Sequence, residues 1–370
     1  MGHFWTMKVL GIMSGTSMDG VDLALCDVQQ NANGWSAEIL TAVTIPYNET
    51  WRVRLSQLRY QYGEVLAKTD VFYGRYLGDL ARVFRESSGH HVDLVASHGH
   101  TIFHNPDKGL TTQIGDGATL SYYAQRPVVS NFRRGDVAAG GQGAPLVSIG
   151  DQLLFGDYEF CLNLGGFSNI SACVNDKRVA FDVSPCNIVL NRLARELDVS
   201  FDEGGAIADR GQVIYPLLDE LNAIDYYHQN YPKSLGREWI NKHFWHVVRE
   251  YDQHPTEDRM KTLVLHSAVQ VGKAIERLQA DGVCQPGSGR MLVTGGGAYN
   301  KTLVDFLQSE CPCEVVVPDS NLVEYKEALI FALLGAMRVS NQPNVLASAT
   351  GATSNVIGGS LDGDFSSLLR

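Results

Sequence analysis

One layout occurs twice along this chain and restricts its fold more than any other feature. Lys8 to Met13, Val21 to Val28 and Trp35 to Tyr47 read as strands, split by a glycine turn and by Asn31-Ala32-Asn33-Gly34. The same order returns later: an apolar strand Glu159 to Leu164, a glycine tip Gly165-Gly166-Phe167-Ser168-Asn169, a strand Ile170 to Val174, an Asn/Asp turn and a strand Val179 to Val183. A repeat of this kind predicts duplicated halves, each presenting a hairpin tip at a shared cleft. With 370 residues the chain is also too long for one ordinary core, so two α/β domains are expected. We place the first at 1–140 with about 346–370, carrying the first tip, and the second at 141–345.

The first tip spans Gly15, Thr16, Ser17, Met18, Asp19, Gly20, Val21 and Asp22. Its glycines let the backbone approach a ligand, while the Ser14, Thr16 and Ser17 hydroxyls and the free N–H groups can donate to anionic oxygens. Read alone, it is equally an ordinary polar hairpin turn. The second tip shifts that balance, because two amide-rich tips could hold one polyphosphate from both sides.

Composition narrows the function classes. A net charge of −11 argues against a nucleic-acid binder, which needs a concentrated Lys/Arg surface. No run approaches the length of a membrane span, and the first six residues lack the charged and apolar regions of a signal peptide. Seven cysteines, an odd number at irregular positions, fit reduced thiols and a cytoplasmic protein.

Between and beyond the repeats, several residues could carry chemistry. Five histidines (90, 91, 98, 100 and 104) cluster without the i, i+4 pairing of a zinc protease, so a substrate-facing His100 is a better reading than a metal site. Arg133 opens a glycine-rich stretch, read as a loop, that ends at Ala144-Pro145, where the next helix is expected to start. No lysine and Ser/Thr pair completes a P-loop there.

Asp182 ends a strand just before Ser184 and Pro185, which fit an N-cap and a first helical position. It could serve as a base or only as a cap. Lys233 and Arg237 could contact phosphate or be solvated surface. Gly295, Gly296 and Gly297, with Asn300, lie between a strand and a helix, where a flat group could meet the backbone; a tight turn is the alternative. Glu327 enters an apolar helix and must be exposed at its end or partnered in the cleft.

Taken together these segments resemble the anhydro-N-acetylmuramic acid kinases of the actin, sugar kinase and Hsp70 superfamily. The likeness rests on Met13 to Asp22, Ser97-His98-Gly99-His100-Thr101, Phe132-Arg133-Arg134-Gly135-Asp136, Gly140-Gly141-Gln142-Gly143-Ala144-Pro145, Asn163 to Asn169, Gly295 to Asn300 and Thr350-Gly351-Ala352. It implies two duplicated actin-like, ribonuclease H-like domains flanking a nucleotide cleft. It implies ATP phosphates between the residues 15–22 and Gly165-Gly166, adenosine near Gly295 to Asn300, and Mg²⁺ near Asp19.

Asp182 would then be the general base, deprotonating a water that attacks the anomeric carbon of a 1,6-anhydro sugar while O6 takes the γ-phosphate. His100, Arg133 and Glu327 would contact the sugar. The product would be N-acetylmuramic acid 6-phosphate, in cell-wall recycling, from a protein that is a monomer or a homodimer. Kinases of another anhydro or amino sugar, and a non-catalytic ATP-binding regulator, are the alternatives.

The sequence departs from the family pattern at some of these positions. Val183-Ser184-Pro185-Cys186-Asn187 stands for Thr-Gly-Pro-Gly-Asn, His100 for glutamine, Asn131 and Asn191 for aspartates, and Glu203-Gly204 for Lys-Asp. Most of these surround the base and the sugar contacts.

Overall fold

In the computed structural model, which describes residues 5–15, 18–32, 34–366 and 368, the opening apolar run forms strand β1 (Trp5–Ser14). It pairs antiparallel with β2 (Gly20–Asn31), which pairs antiparallel with β3 (Gly34–Pro46). A long helix, α1 (Gly63–Ser88), then crosses to β4 (Leu94–Asn105), parallel to β1. β5 (Leu110–Ile114) folds back on β4, and α2 (Gly117–Ala124), capped by the Asp116 carboxylate at Thr119 N, leads to β6 (Val128–Ser130), parallel to β4. Two short helices follow, α3 (Phe132–Ala138) and α4 (Ser148–Leu154).

The second half repeats this plan. β7 (Phe160–Leu164), β8 (Phe167–Val174) and β9 (Lys177–Pro185) form an antiparallel meander, and α5 (Asn187–Ala194) follows it. After the long helix α6 (Thr256–Ala280) come β10 (Arg290–Thr294), α7 (Lys301–Glu310) and β11 (Glu314–Val316), with β10 parallel to β7 and β11 parallel to β10. The chain closes with α8 (Ser320–Val339) and β12 (Ser360–Asp362), which pairs with β6.

The strand orders are β3-β2-β1-β4-β6-β12 and β9-β8-β7-β10-β11. Apart from β12 and β5 they are one topology used twice, three antiparallel strands continued by two parallel ones. The sequence repeat is therefore a fold repeat.

Two compact units contain these sheets, 1–154 with 325–370, and 155–324. Against the sequence-based division at 140 and 345, α4 and most of α8 thus fall in the first unit. A buried ion pair between Lys326 and Asp151, at 2.7 Å, joins those two helices.

In the first unit, β1 is buried on both faces, as expected of a strand flanked by partners in a covered sheet. One face meets Leu77, Tyr73 and their neighbours on α1. Across the other runs a register row of small residues, Ala24, Gly11 and Ala96. Helix α8 packs on that row: a Cβ on Gly11 would stand 1.9 Å from Ala328 O, and one on Gly335 would stand 2.6 Å from Ala96 Cβ. In the second unit, Leu162, Ile170, Phe181, Leu193, Val264, Val271 and Leu303 belong to one core between the sheet and helices α5, α6 and α7.

Three local expectations are corrected. Residues 132–138 form a helix rather than a loop, and Gly140 and Gly143, with φ of +82° and +66°, lie beyond its end. Next, α4 starts at Ser148, whose hydroxyl donates to Pro145 O, so Pro145 lies before the helix. Finally, Ser184 is not an N-cap. Its N–H donates to Ser168 Oγ and its hydroxyl bonds Ser168 and Ser267, so the β8–β9 ladder claims the residue and α5 begins after Cys186.

Candidate active site

In the second unit, the ends of β7 and β10 and the start of α5 come together. The carbonyls of Gly165 and Gly166 accept N–H bonds from Asn187 and from Cys186 and Ile188, which seats the second tip on the first turn of the helix. Asn187 Nδ2 donates to Leu164 O at 3.0 Å. Gly295 takes a φ of +83°, and a Cβ there would lie 2.5 Å from Asn163 Oδ1. The turn at 295–297 thus packs against Asn163 and Leu164, immediately before the tip, and only glycine permits that approach. Gly166 is exposed, and a Cβ there would make only ordinary contact, 3.8 Å from Ile188 Cβ. Asn300 has a structural task, since its side chain accepts from Leu303 N and caps α7.

Asp182 lies on β9, an edge strand, and a segment from 226 to 235 closes over it. Asp182 N donates to Lys233 O, Leu235 N donates to Asp182 Oδ2 at 2.8 Å, and the Tyr226 hydroxyl donates to Asp182 O at 2.6 Å. Lys233 Nζ in turn donates to Tyr226 O and lies over the Tyr226 ring. Lys233 is therefore a brace beneath Asp182. Burial pushes the Asp182 carboxyl up to about 6, partly offset by the Leu235 amide. A carboxylate at that value can take a proton near neutral pH.

In the first unit, Thr16 and Ser17 of the first tip lie outside the described residues. Met18 turns back with φ of +62°, its N–H bonded to Gly15 O, and Asp19 is exposed. Gly20 and Val21 are buried in the ladder, so Val21 can offer a ligand only its backbone. Asp22 Oδ1 accepts the Thr44 hydroxyl at 2.6 Å. Ser14 departs from the expected role as a free donor. It is buried and bonded to Tyr47 Oη and to His100 Nδ1, at 2.7 and 2.8 Å.

Arg133 and Glu327 act on one another. Burial raises the Glu327 carboxyl while Arg133 lowers it, and burial brings the Arg133 guanidinium down to about 10 while Glu327 opposes that. Arg133 is also fixed by neutral groups: Nε donates to His98 Nε2 at 2.9 Å and a terminal nitrogen donates to Gly143 O. His98 has Nδ1 against Gly99 O, so it must be the Nδ1–H tautomer, and burial keeps it well below its ordinary value. A cation, a carboxylate and two neutral imidazoles offer both donors and acceptors to a polar ligand, and the cation can meet an anionic group on it. Among the described residues no group of three or more His, Cys, Asp or Glu stands where it could hold a metal ion, and the histidine cluster is not one.

Sequence reasoning missed the residue that shapes the glycine stretch. Asp136, wholly buried, accepts from Gly143 N with one oxygen and from the Thr350 hydroxyl with the other, at 2.7 and 2.6 Å. Its place within the Arg133 to Asp136 segment was the available signal. Asp136→Ala is expected to cost about 3 kcal/mol, because two buried donors lose a charged acceptor, and to expose 139–145 to proteolysis. Parallel urea titrations and limited proteolysis would check both.

Comparison with known proteins shows the family of this chain. The family described as "Anhydro-N-acetylmuramic acid kinase" matches residues 7–362. A protein of that name from Francisella tularensis subsp. novicida is 34% identical over 376 residues, covering 95% of this chain and 98% of that protein. One from Bacillus cereus is 29% identical over 380 residues, covering 96% and 98%. Among solved structures, component A of the (R)-2-hydroxyglutaryl-CoA dehydratase of Acidaminococcus fermentans aligns at a TM-score of 0.45 and 13% identity, over 89% of this chain and 97% of that one.

Proposed function

We propose, from the premise that the chain belongs to the anhydro-N-acetylmuramic acid kinase family, that it opens 1,6-anhydro-N-acetylmuramic acid with water and phosphorylates O6 at the expense of ATP. The product is N-acetylmuramic acid 6-phosphate, and the setting is cell-wall recycling in the cytoplasm. The observation that carries this reading is Asp182, held by three hydrogen bonds with its carboxyl raised to about 6.

In the reaction Asp182 takes a proton from water as the water oxygen bonds to the anomeric carbon. The bond from that carbon to O6 breaks, and O6 accepts the γ-phosphoryl group. Leu235 N–H occupies Oδ2, so Oδ1 is the oxygen that receives the proton. Arg133, Glu327 and His100 orient the sugar. Residues 15–22, Gly165 and Gly166 contact the phosphates, and the exposed backbone at Gly166 and the 295–297 turn fit a phosphate tail and an adenine plane. Asp19, the exposed carboxylate of the first tip, would hold Mg²⁺ beside the phosphates, an ion for which one protein carboxylate suffices there. That ion, when bound, neutralises phosphate charge.

Incubation with ATP, Mg²⁺ and the anhydro sugar should release ADP and a 6-phosphosugar in equal amounts. Turnover of a different anhydro sugar, with none of this one, would reassign the acceptor. ATP binding without turnover of any sugar would leave a regulator.

The base must be ionised, so kcat/KM should rise with pH and level off above about 6. A rate unchanged between pH 5 and 8 would remove Asp182 from the role.

A further inference from the structure

His100 is tied to a line of buried hydroxyls that its assignment as a sugar contact leaves unexplained. Its Nδ1 lies 2.8 Å from Ser14 Oγ, Ser14 Oγ lies 2.7 Å from Tyr47 Oη, and Tyr47 Oη is bonded to Tyr73 Oη. All four side chains belong to the first unit, and Tyr73 has no exposure at all. Each hydroxyl has one proton to place, so the line can run in one of two directions.

If His100 Nδ1–H donated to Ser14, then Ser14 would donate to Tyr47 and Tyr47 to Tyr73. Tyr73 would then have only Ser14 Oγ left to turn to among the described residues, an oxygen that already accepts from His100 and donates to Tyr47 and that lies outside hydrogen-bonding geometry to Tyr73. A buried orphan donor of this kind is costly. In the other direction Tyr73 donates to Tyr47, Tyr47 to Ser14 and Ser14 to His100 Nδ1, and every proton is placed. Burial brings the imidazole down to about 4, so it is neutral and carries a single N–H. That N–H must be on Nε2, which is bonded to no described residue.

We propose that the Tyr73–Tyr47–Ser14 line fixes His100 as its Nε2–H tautomer and makes it a directed hydrogen-bond donor to an oxygen acceptor of the sugar. His98 provides the contrast within the same strand, since Gly99 O and Arg133 fix it as the Nδ1–H form. The site therefore holds two neutral imidazoles with opposite tautomers, one accepting from Arg133 and one donating to substrate. Ser14 is a positioning residue, acting through His100. The inference that His100 meets the sugar rests on the kinase reading; the tautomer does not.

The test separates the two. The full-length protein labelled with ¹⁵N-histidine, without ligand, is examined by long-range ¹H–¹⁵N correlation, with His100 assigned by its absence from His100→Gln. Wild type should show a protonated Nε2 and an unprotonated Nδ1 for His100, and the reverse for His98. Ser14→Ala should average the His100 pattern and raise KM for the sugar about fivefold, the loss of one oriented hydrogen bond, with a smaller shift in KM for ATP. An Nδ1–H pattern at His100 in wild type overturns the proposal whatever the activity. Equal shifts of both KM values in Ser14→Ala overturn the assignment of the donor to the sugar. A protein with the stated tautomers that turns over no sugar would keep the line and remove the kinase reading.

Discussion

Asp182→Asn is expected to lower kcat on the order of 10³-fold while leaving ATP affinity unchanged, because it removes the group we propose takes the proton from water. The substitution is geometrically mild. An asparagine oxygen can still accept from Leu235 N, and the bonds to Lys233 O and from Tyr226 use the Asp182 backbone. The same change should stabilise the fold at pH 8. Asp182 goes from an ordinary 3.8 to about 6 on folding, so its favourable contribution is complete below pH 3.8 and is lost as pH rises through about 6. Removing the buried charge should thus return up to about 3 kcal/mol at pH 8 and nothing near pH 3. Steady-state rates with nucleotide titration, and urea melts at both pH values, would check these. A variant that is slow but no more stable at pH 8 would mean that burial is not what raises this carboxyl.

Opposite signs for rate and stability at one residue would mark a group held at a cost for its chemistry. The sequence placed Asp182 at a strand end beside a helix start; the structure keeps it within β9, which runs on to Pro185 before the helix begins at Asn187. The sequence did not show what holds the carboxylate. The partners come from residues 226, 233 and 235, some fifty positions away, and two of the three, Lys233 O and Leu235 N, are backbone atoms that no side-chain pattern encodes.

The same limit explains the misreading of Ser184. Ser followed by Pro is a sound local signal for a helix start, but the hydroxyl found Ser168 and Ser267, and buried partners outweigh a cap that water could replace. At Ser14 a polar residue beside a glycine tip was read as a free donor, and its neighbours Tyr47 and His100 are known only from the fold. The duplication was legible, by contrast, because strand, glycine tip, strand, Asn/Asp turn and strand recur in one order in both halves, and the two sheets repeat one topology.

Gly11 escaped sequence reading altogether, since a glycine inside an apolar run signals only a weakened strand. Its meaning depends on α8, more than three hundred residues later. Gly11→Ala is expected to cost about 4 kcal/mol or more, at the severe end for one added methyl group. The new Cβ would lie 1.9 Å from Ala328 O and 3.2 Å from Ala332 N, and both are backbone atoms of a helix that cannot rotate away as a side chain can. The helix must move, and it carries Glu327, next to Ala328, toward or away from Arg133.

Any folded Gly11→Ala protein should therefore also lose affinity for the sugar while keeping its affinity for ATP. A control distinguishes packing from backbone freedom. Ala24→Gly, on the neighbouring strand in the same register row, removes a methyl and should cost about 1 kcal/mol, the ordinary penalty for glycine in a strand. Thermal and urea melts of both variants would decide the matter. Equal losses would mean that α8 does not rest on Gly11, and that the row of small residues is not the seat of the helix that carries Glu327.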